Sequence, residues 1–112
     1  MYGTQVSVNS VEPATGDTPL ILASREGDSN LVSLLIENGA NINYVNMNGD
    51  TALMQAMNKG RSTDANTVAK LLDYNADVSM ENNEGVTALM LSAITGTRLF
   101  MVLFEPLKLN TI

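Results

Sequence analysis

Short apolar clusters separated by polar turns recur along the chain at a nearly constant spacing. The segment GDTPLILASREGD begins at Gly16, GDTALMQAMNKGR begins at Gly49, and GVTALMLSAITGT begins at Gly85. In every copy Thr stands two residues after the first glycine and Leu four residues after it, and a second glycine follows at Gly27, Gly60 and Gly96. This pattern predicts that the chain is built from three copies of one local structure.

The first copy predicts a short helix with a defined beginning and end. Thr18 can cap the helix with its hydroxyl group, and Pro19 occupies the first position, where a helix needs no N–H donor. Gly27 suits the left-handed conformation that ends many helices. The helix is therefore only about two turns long, which is too short to be stable alone.

A second helix follows, with Asp28 or Ser29 as its N-cap. Leu31, Leu34 and Leu35 stand at i, i+3 and i+4, so we expect these side chains to face the core. The segment INYVNMNGD is rich in Asn and Gly and predicts an extended loop or hairpin. Each unit is thus a helix, a turn, a second helix and a projecting loop, and the units must stack to bury their apolar faces.

The later units keep this plan with local changes. Val68, Leu71 and Leu72 align with the three leucines of the first unit and leave Lys70 on the outer face. Asn75 replaces the glycine that ends the second helix of the first unit, and Asn tolerates the left-handed conformation better than most residues. The corresponding core residues of the third unit are Phe100, Leu103 and Phe104.

These features resemble the ankyrin-repeat family, whose units are about 33 residues long and open with Thr-Pro-Leu. The resemblance is clearest in GDTPLILASREGDSNLVSLLIENGANIN and, with two more degenerate copies, covers roughly Gly16 to Phe104. It implies an all-α solenoid of paired short antiparallel helices joined by projecting β-hairpin-like loops. We therefore expect a single domain over 1–112, with a partial leading hairpin over 6–15, repeats at about 16–48, 49–84 and 85–106, and an atypical tail over 107–112.

One departure from the family pattern affects the expected packing. The family usually has His after the Leu of the opening, where it ties turns together by hydrogen bonds. Ile21, Met54 and Met90 stand at this position here. We expect apolar packing to replace the polar link, and Met57 shares the same core spacing.

The C-terminal end lacks the polar outer face that normally caps such a stack. Proline at position 106 ends the last helix, and Leu107, Leu109 and Ile112 follow it. Three interpretations stay open: the tail folds back over the last helix, the chain is part of a longer array, or this end docks another chain or a second copy.

Composition and charge restrict the partners. The chain carries 12 acidic and 6 basic residues, a formal charge of −6, which disfavours nucleic acid and anionic membranes as ligands. It contains no Cys and no His, so disulfides, thiolate nucleophiles and the commonest general base are absent. No secretory signal and no membrane-spanning stretch is evident, which predicts a cytoplasmic protein.

The resemblance implies a non-catalytic protein–protein interaction module or scaffold without cofactor or metal. Such stacks bind through their hairpin tips and the concave face of the first helices. The excess of acids on this surface predicts a protein partner with a basic patch, anchored by Tyr44 and Met47. The predicted partner-binding residues are Glu12, Asp17, Arg25, Glu26, Tyr44, Asn46, Met47, Asn48, Asp50, Gln55, Asn58, Lys59, Glu81, Asn83 and Glu84.

Several alternatives stay open. The chain is also compatible with a fragment of a longer ankyrin-repeat scaffold or channel-type protein, or with a small acidic inhibitor or immunity protein that caps a basic site. Self-association through the apolar C-terminal end is a further possibility. Catalysis is disfavoured because neither a phosphate-binding glycine loop nor a nucleophile beside a base is recognisable.

Asn43 lies in the predicted hairpin, eight residues after Leu35. In many ankyrin-like hairpins an Asn in this arrangement is hydroxylated by a cytosolic oxygenase. The structural alternative, which we favour, is that the Asn43 side chain hydrogen-bonds the hairpin backbone.

Overall fold

The computed structural model describes residues 7–57 and 65–95, and five helices of this part form two layers. The helices are α1 (Pro19–Glu26), α2 (Ser29–Glu37), α3 (Ala52–Met57), α4 (Ala65–Asp73) and α5 (Ala88–Thr95). Helix α3 packs between α1 and α5 in one layer, and α2 packs against α4 in the other. No strand occurs in this part of the chain, and the predicted all-α solenoid is confirmed.

Thr18 caps its helix as predicted, and the threonines of the two later openings do the same. The hydroxyls of Thr18, Thr51 and Thr87 accept hydrogen bonds from the backbone N–H three residues further on, at 3.2, 3.2 and 3.3 Å. Gly27 ends α1 with φ at 78°. Asp28 is the N-cap of α2, because its Oδ1 accepts from a backbone N–H of the first turn at 3.1 Å.

The core lies between the two layers and runs from one repeat to the next. Its buried members come from all five helices and are small or aliphatic, apart from two methionines. Met54 and Met57 are almost fully buried, which confirms their prediction as packing residues. The other buried apolar residues are Leu20, Ile21, Ala23, Val32, Ala52, Leu53, Ala56, Val68, Leu71, Ala88 and Leu91.

The predicted core face of α2 is wrong by one residue. Leu31 and Leu34 are 39% and 55% exposed, whereas Val32 is completely buried. Leu35 and Ile36 are half-buried and pack against the core. The core-facing set therefore begins at Val32, and it is Val32 that corresponds to the fully buried Val68 of α4.

The prediction that Met90 packs in the core is also wrong, since Met90 is 50% exposed. Within positions 88–91 of α5 the buried residues are Ala88 and Leu91. Helix α5 packs against α3. No residue of the described ranges buries Met90, although the equivalent Ile21 and Met54 are enclosed.

The end of the second helix is built as predicted in both described units. Gly39 has φ at 97° and Asn75 has φ at 68°, so each adopts the left-handed conformation. Lys70 is exposed on α4, also as predicted. Within 7–57 and 65–95, none of the helices has the length and apolar character needed to cross a membrane.

Several predictions concern residues outside the described ranges. Asn58 and Lys59 belong to this group, as do the second helix of the third unit with Phe100, Leu103 and Phe104 and the C-terminal tail over 107–112.

Candidate protein-binding surface

Three tight turns project from the helical layers. In each turn two backbone hydrogen bonds close the loop onto itself. Glu12 N donates to Asp17 O at 2.8 Å and Gly16 N to Glu12 O at 2.7 Å. The second turn repeats this arrangement between Asn46 and Asp50, and the third between Asn82 and Val86.

The turns are also bonded to one another along the stack. Met47 N donates to Thr15 O at 3.1 Å, which joins the second turn to the first. Asn83 N donates to Asn48 O at 2.9 Å, and its side-chain Nδ2 donates to Met47 O at 2.8 Å. The projecting tips therefore form one continuous, backbone-bonded row.

Close approach between tips explains two of the glycines. A Cβ added at Gly16 would lie 2.8 Å from Met47 N, and one added at Gly49 would lie 2.7 Å from Asn83 Oδ1 and 2.8 Å from Asn83 N. Both glycines also have positive φ, at 77° and 79°. Each is thus required by its own backbone conformation and by its neighbour.

Two asparagines organise the second and third turns. The Oδ1 atom of Asn46 accepts from the N–H groups of Asn48 and Asp50 at 2.9 and 3.0 Å. The Oδ1 atom of Asn82 accepts from those of Glu84 and Val86, both at 2.9 Å. Asn82 is absent from the predicted partner-binding residues. Its position in the sequence could have identified it, because Asn82 precedes Gly85 by three residues just as Asn46 precedes Gly49.

The Nδ2 group of each of these asparagines donates to a carboxylate of the preceding turn. Asn46 Nδ2 donates to Asp17 Oδ1 at 2.9 Å, and Asn82 Nδ2 donates to Asp50 Oδ1 at 2.8 Å. Asp17 and Asp50 are 3% and 7% exposed. The two Asn–Asp pairs join successive turns by side-chain hydrogen bonds in addition to the backbone ones.

The Oδ2 atoms of Asp17 and Asp50 are bonded to side chains of the helices. Arg25 Nη2 lies 3.0 Å from Asp17 Oδ2 in an ion pair, and Arg25 Nε donates to Gln55 Oε1 at 2.8 Å. Gln55 Nε2 in turn donates to Asp50 Oδ2 at 2.9 Å. The polar residues Asp17, Arg25, Gln55 and Asp50 therefore form one chain of hydrogen bonds across the first two repeats.

Asp17 is held in its charged form by these contacts. Burial alone raises the pKa of this carboxyl group, but the hydrogen bonds from Asn46, Arg25 and Thr15 outweigh it, and the net pKa lies below the ordinary value of 3.8. The positive charge of Arg25 acts in the same direction.

This network modifies the expectation that apolar packing replaces the missing histidine link. Ile21 and Met54 are buried as expected. A polar connection nevertheless runs between the repeats, through Arg25 and Gln55. The hydrogen-bonded link between α1 and α3 is therefore made by Arg25 and Gln55.

The structure divides the predicted partner-binding residues by exposure. Asp17, Asn46, Asp50 and Gln55 are buried, and their side chains are hydrogen-bonded within the stack. Arg25 and Tyr44 are half-buried. The exposed members are Glu12, Glu26, Met47, Asn48, Glu81, Asn83 and Glu84.

The two predicted anchors differ in their surroundings. Met47 is 61% exposed at the tip of the second turn. Tyr44 packs against the apolar core with part of its surface and is only half available for contact with another molecule. Of the two, Met47 has the exposure expected of an anchor.

Asn43 makes the backbone contact that we favoured from the sequence. Its Oδ1 accepts from Asp77 N of the next repeat at 2.9 Å. Asn9 has an equivalent role one repeat earlier, where its Oδ1 accepts from Asn41 N at 2.8 Å. Asn43 is thus part of a second row of inter-repeat hydrogen bonds.

The fold and the bonded row of turns define a repeat protein of the ankyrin type. The family model described as ankyrin repeats in three copies matches residues 2–82, which is most of the chain. The chain belongs to the ankyrin-repeat family. Ankyrin repeats generally mediate protein–protein interaction, and the domain is typically non-catalytic.

A curated relative shares part of this sequence. The chain is 48% identical over 44 residues to the E3 ubiquitin-protein ligase XBAT33 of Arabidopsis thaliana. The shared segment is 39% of this chain and 9% of that protein, so the chain corresponds to a small part of its length.

Proposed function

We propose that this protein binds a protein partner with a basic patch through the exposed residues of its projecting turns. The observation that carries the proposal is the division between buried and exposed polar residues. The buried acids Asp17 and Asp50 are hydrogen-bonded within the stack, whereas Glu12, Glu81 and Glu84 point to solvent at the turns. Arg25, a half-buried cation of α1, is paired with Asp17.

The rigidity of the turns supports this function. Backbone hydrogen bonds join each turn to the next, and Gly16 and Gly49 allow close contact between them. A surface that is ordered before binding loses little conformational entropy when the partner arrives, which favours affinity. Exposed Met47 adds apolar area in the middle of the row, where central contacts contribute most.

The proposal is tested with two variants matched in charge and in apolar truncation. Met47→Ala/Glu81→Gln/Glu84→Gln alters the turns, and Leu34→Ala/Glu37→Gln/Asp73→Asn alters exposed residues of α2 and α4. The first of these is the turn variant and the second is the helix variant. Proteins captured from a lysate by the wild-type chain are quantified by mass spectrometry for each variant. We expect the wild type and the helix variant to retain basic proteins that the turn variant loses.

Salt provides a second measurement on the same captured proteins. Steering by exposed charges weakens with ionic strength, so their retention is expected to fall between about 50 and 300 mM salt. Equal retention by the two variants would contradict binding through the turns. Retention that is independent of salt would contradict a basic partner.

A further inference from the structure

A cleft of about 320 Å³ opens between the second and third turns. Its lining residues carry only carboxylate and carboxamide side chains and come from both turns: Asn48, Asp50, Asn82, Asn83 and Glu84. Two of these five residues are acidic and none is basic. The cleft therefore offers acceptor oxygens and a negative field to whatever enters it.

The carboxylate at the base of the cleft retains acceptor capacity. Asp50 Oδ1 accepts from Asn82 Nδ2 at 2.8 Å, and Asp50 Oδ2 accepts from Gln55 Nε2 at 2.9 Å. Each carboxylate oxygen can accept two hydrogen bonds, so one further donor per oxygen is chemically possible. Among the described residues, both bonds to Asp50 come from neutral carboxamides.

In the preceding repeat the corresponding carboxylate binds a guanidinium. Asp17 corresponds to Asp50 and has the equivalent Asn contact, from Asn46 at 2.9 Å. Its second oxygen is bound by the guanidinium of Arg25 at 3.0 Å. In the second repeat the residue that corresponds to Arg25 in sequence is the neutral Asn58.

We propose that the cleft between the second and third turns binds an arginine side chain of the protein partner. The guanidinium carries five N–H donors in a plane, which matches the carboxylate oxygens of the lining better than the compact ammonium of lysine does. Glu84, exposed on the third turn, supplies a second carboxylate to the same group. This inference rests on the proposed function and specifies the residue type that the partner presents.

The test uses the 112-residue chain and three blocked pentapeptides, Gly-Gly-X-Gly-Gly, with X as arginine, lysine or citrulline. Citrulline keeps the shape of arginine without its charge, and lysine keeps the charge without its shape. Binding is followed by two-dimensional NMR through the side-chain amide signals of Asn48, Asn82 and Asn83. We expect the arginine peptide to bind at least about fivefold more tightly than either of the others.

A pair of variants separates the cleft from diffuse electrostatic attraction. Glu84→Gln and Asp73→Asn each remove one charge from an exposed position, but only Glu84 lines the cleft. We expect Glu84→Gln to weaken the arginine peptide at least about threefold and Asp73→Asn, on α4, to leave it nearly unchanged. Equal effects of the two variants, or equal binding of arginine and lysine, would overturn the inference.

The results distinguish this inference from the proposed function. If the turn variant loses its captured proteins but the arginine peptide does not prefer the cleft, the proposed function stands and the arginine assignment is wrong. If the arginine peptide binds as expected but the turn variant retains the same proteins as the wild type, the arginine assignment is supported and the proposed partner surface is wrong.

Discussion

The glycine that opens each repeat has the same backbone conformation in all three units but a different environment in each. Gly16, Gly49 and Gly85 have φ at 77°, 79° and 76°. A Cβ at Gly85 would meet nothing closer than Glu81 Oε1 at 3.9 Å, whereas one at Gly49 would collide with Asn83. Substitutions at Gly49 and Gly85 can therefore separate the cost of the left-handed conformation from the cost of the contact with the next turn.

Gly49→Ala is expected to destabilise the protein more than Gly85→Ala. Both substitutions place alanine in a left-handed conformation, which costs about 1–2 kcal/mol. At Gly49 the added atom must also displace the backbone of Asn83, 2.8 Å away, and we expect at least about 1 kcal/mol in addition. Urea unfolding of both variants measures the difference, and equal free energies of unfolding would show that the contact between the turns contributes nothing.

At the scale of the element, α2 shows why apolar spacing alone leaves the core face undecided. Five of its nine residues are apolar: Leu31, Val32, Leu34, Leu35 and Ile36. They contain two overlapping i, i+3, i+4 sets, one starting at Leu31 and one at Val32, and Leu35 belongs to both. Packing against α1 and α4 selects the second set.

Val32→Ala should therefore destabilise the protein much more than Leu34→Ala. Val32 is completely buried, so truncation leaves a cavity and is expected to lower the free energy of unfolding by about 1–3 kcal/mol. Leu34 is 55% exposed, and its truncation should change that energy by less than about 0.5 kcal/mol. Denaturant unfolding of the two variants checks the register of α2, which would be contradicted if Leu34→Ala were the more damaging.

At the scale of the whole molecule, charged and amide side chains join the repeats. Asp17 accepts from Asn46 of the second turn, and Asp50 accepts from Asn82 of the third turn. The corresponding position of the third repeat is Val86, so this row of carboxylates stops there. Because stability in a repeat stack depends on interfaces between neighbours, these pairs affect all the described units together.

Acid should weaken the interface between the first two repeats. The pKa of Asp17 is below its ordinary value of 3.8 in the folded protein, so the folded state favours the charged form. This contribution is fully present above the unfolded-state pKa and is lost as pH falls through about 3.8 and then through the lower folded value. We expect a loss on the order of 1 kcal/mol from protonation of this carboxylate.

The measurement is urea unfolding at pH 7 and near pH 3 for the wild type, Asp17→Asn and Glu26→Gln. Asp17→Asn should be less stable at pH 7 and should lose less stability than the wild type on acidification. Glu26→Gln, a change at an exposed acid of the same repeat, should keep the acid response of the wild type. An unchanged response in Asp17→Asn would assign the effect to other carboxylates.

Much of the local structure could be predicted because it depends on neighbours in sequence. The threonine caps, the left-handed Gly27 and Asn75, and the exposed Lys70 each follow from a residue type and its immediate context. The repeated spacing also sufficed to predict stacked helix pairs, since short helices with one apolar side have no other way to cover it.

The candidate surface was less predictable because its polar residues divide between internal and external roles. Acids in Gly-Asp and acids at turn tips look alike in sequence, yet Asp17 is 3% exposed and Glu84 is exposed. The difference depends on partners more than two dozen residues away, such as Asn46 for Asp17.

The sequence by itself determined the repeat, the beginning and end of α1, and the acidic character of the chain, because these depend on composition and on contacts within one unit. Only the tertiary structure decided which face of α2 is buried, which acids are buried and hydrogen-bonded within the stack, and that a polar cleft opens beside Asp50. Those properties arise where one repeat meets the next, at distances along the chain of about thirty residues, and there the choice of partner is made by packing and hydrogen bonding in three dimensions.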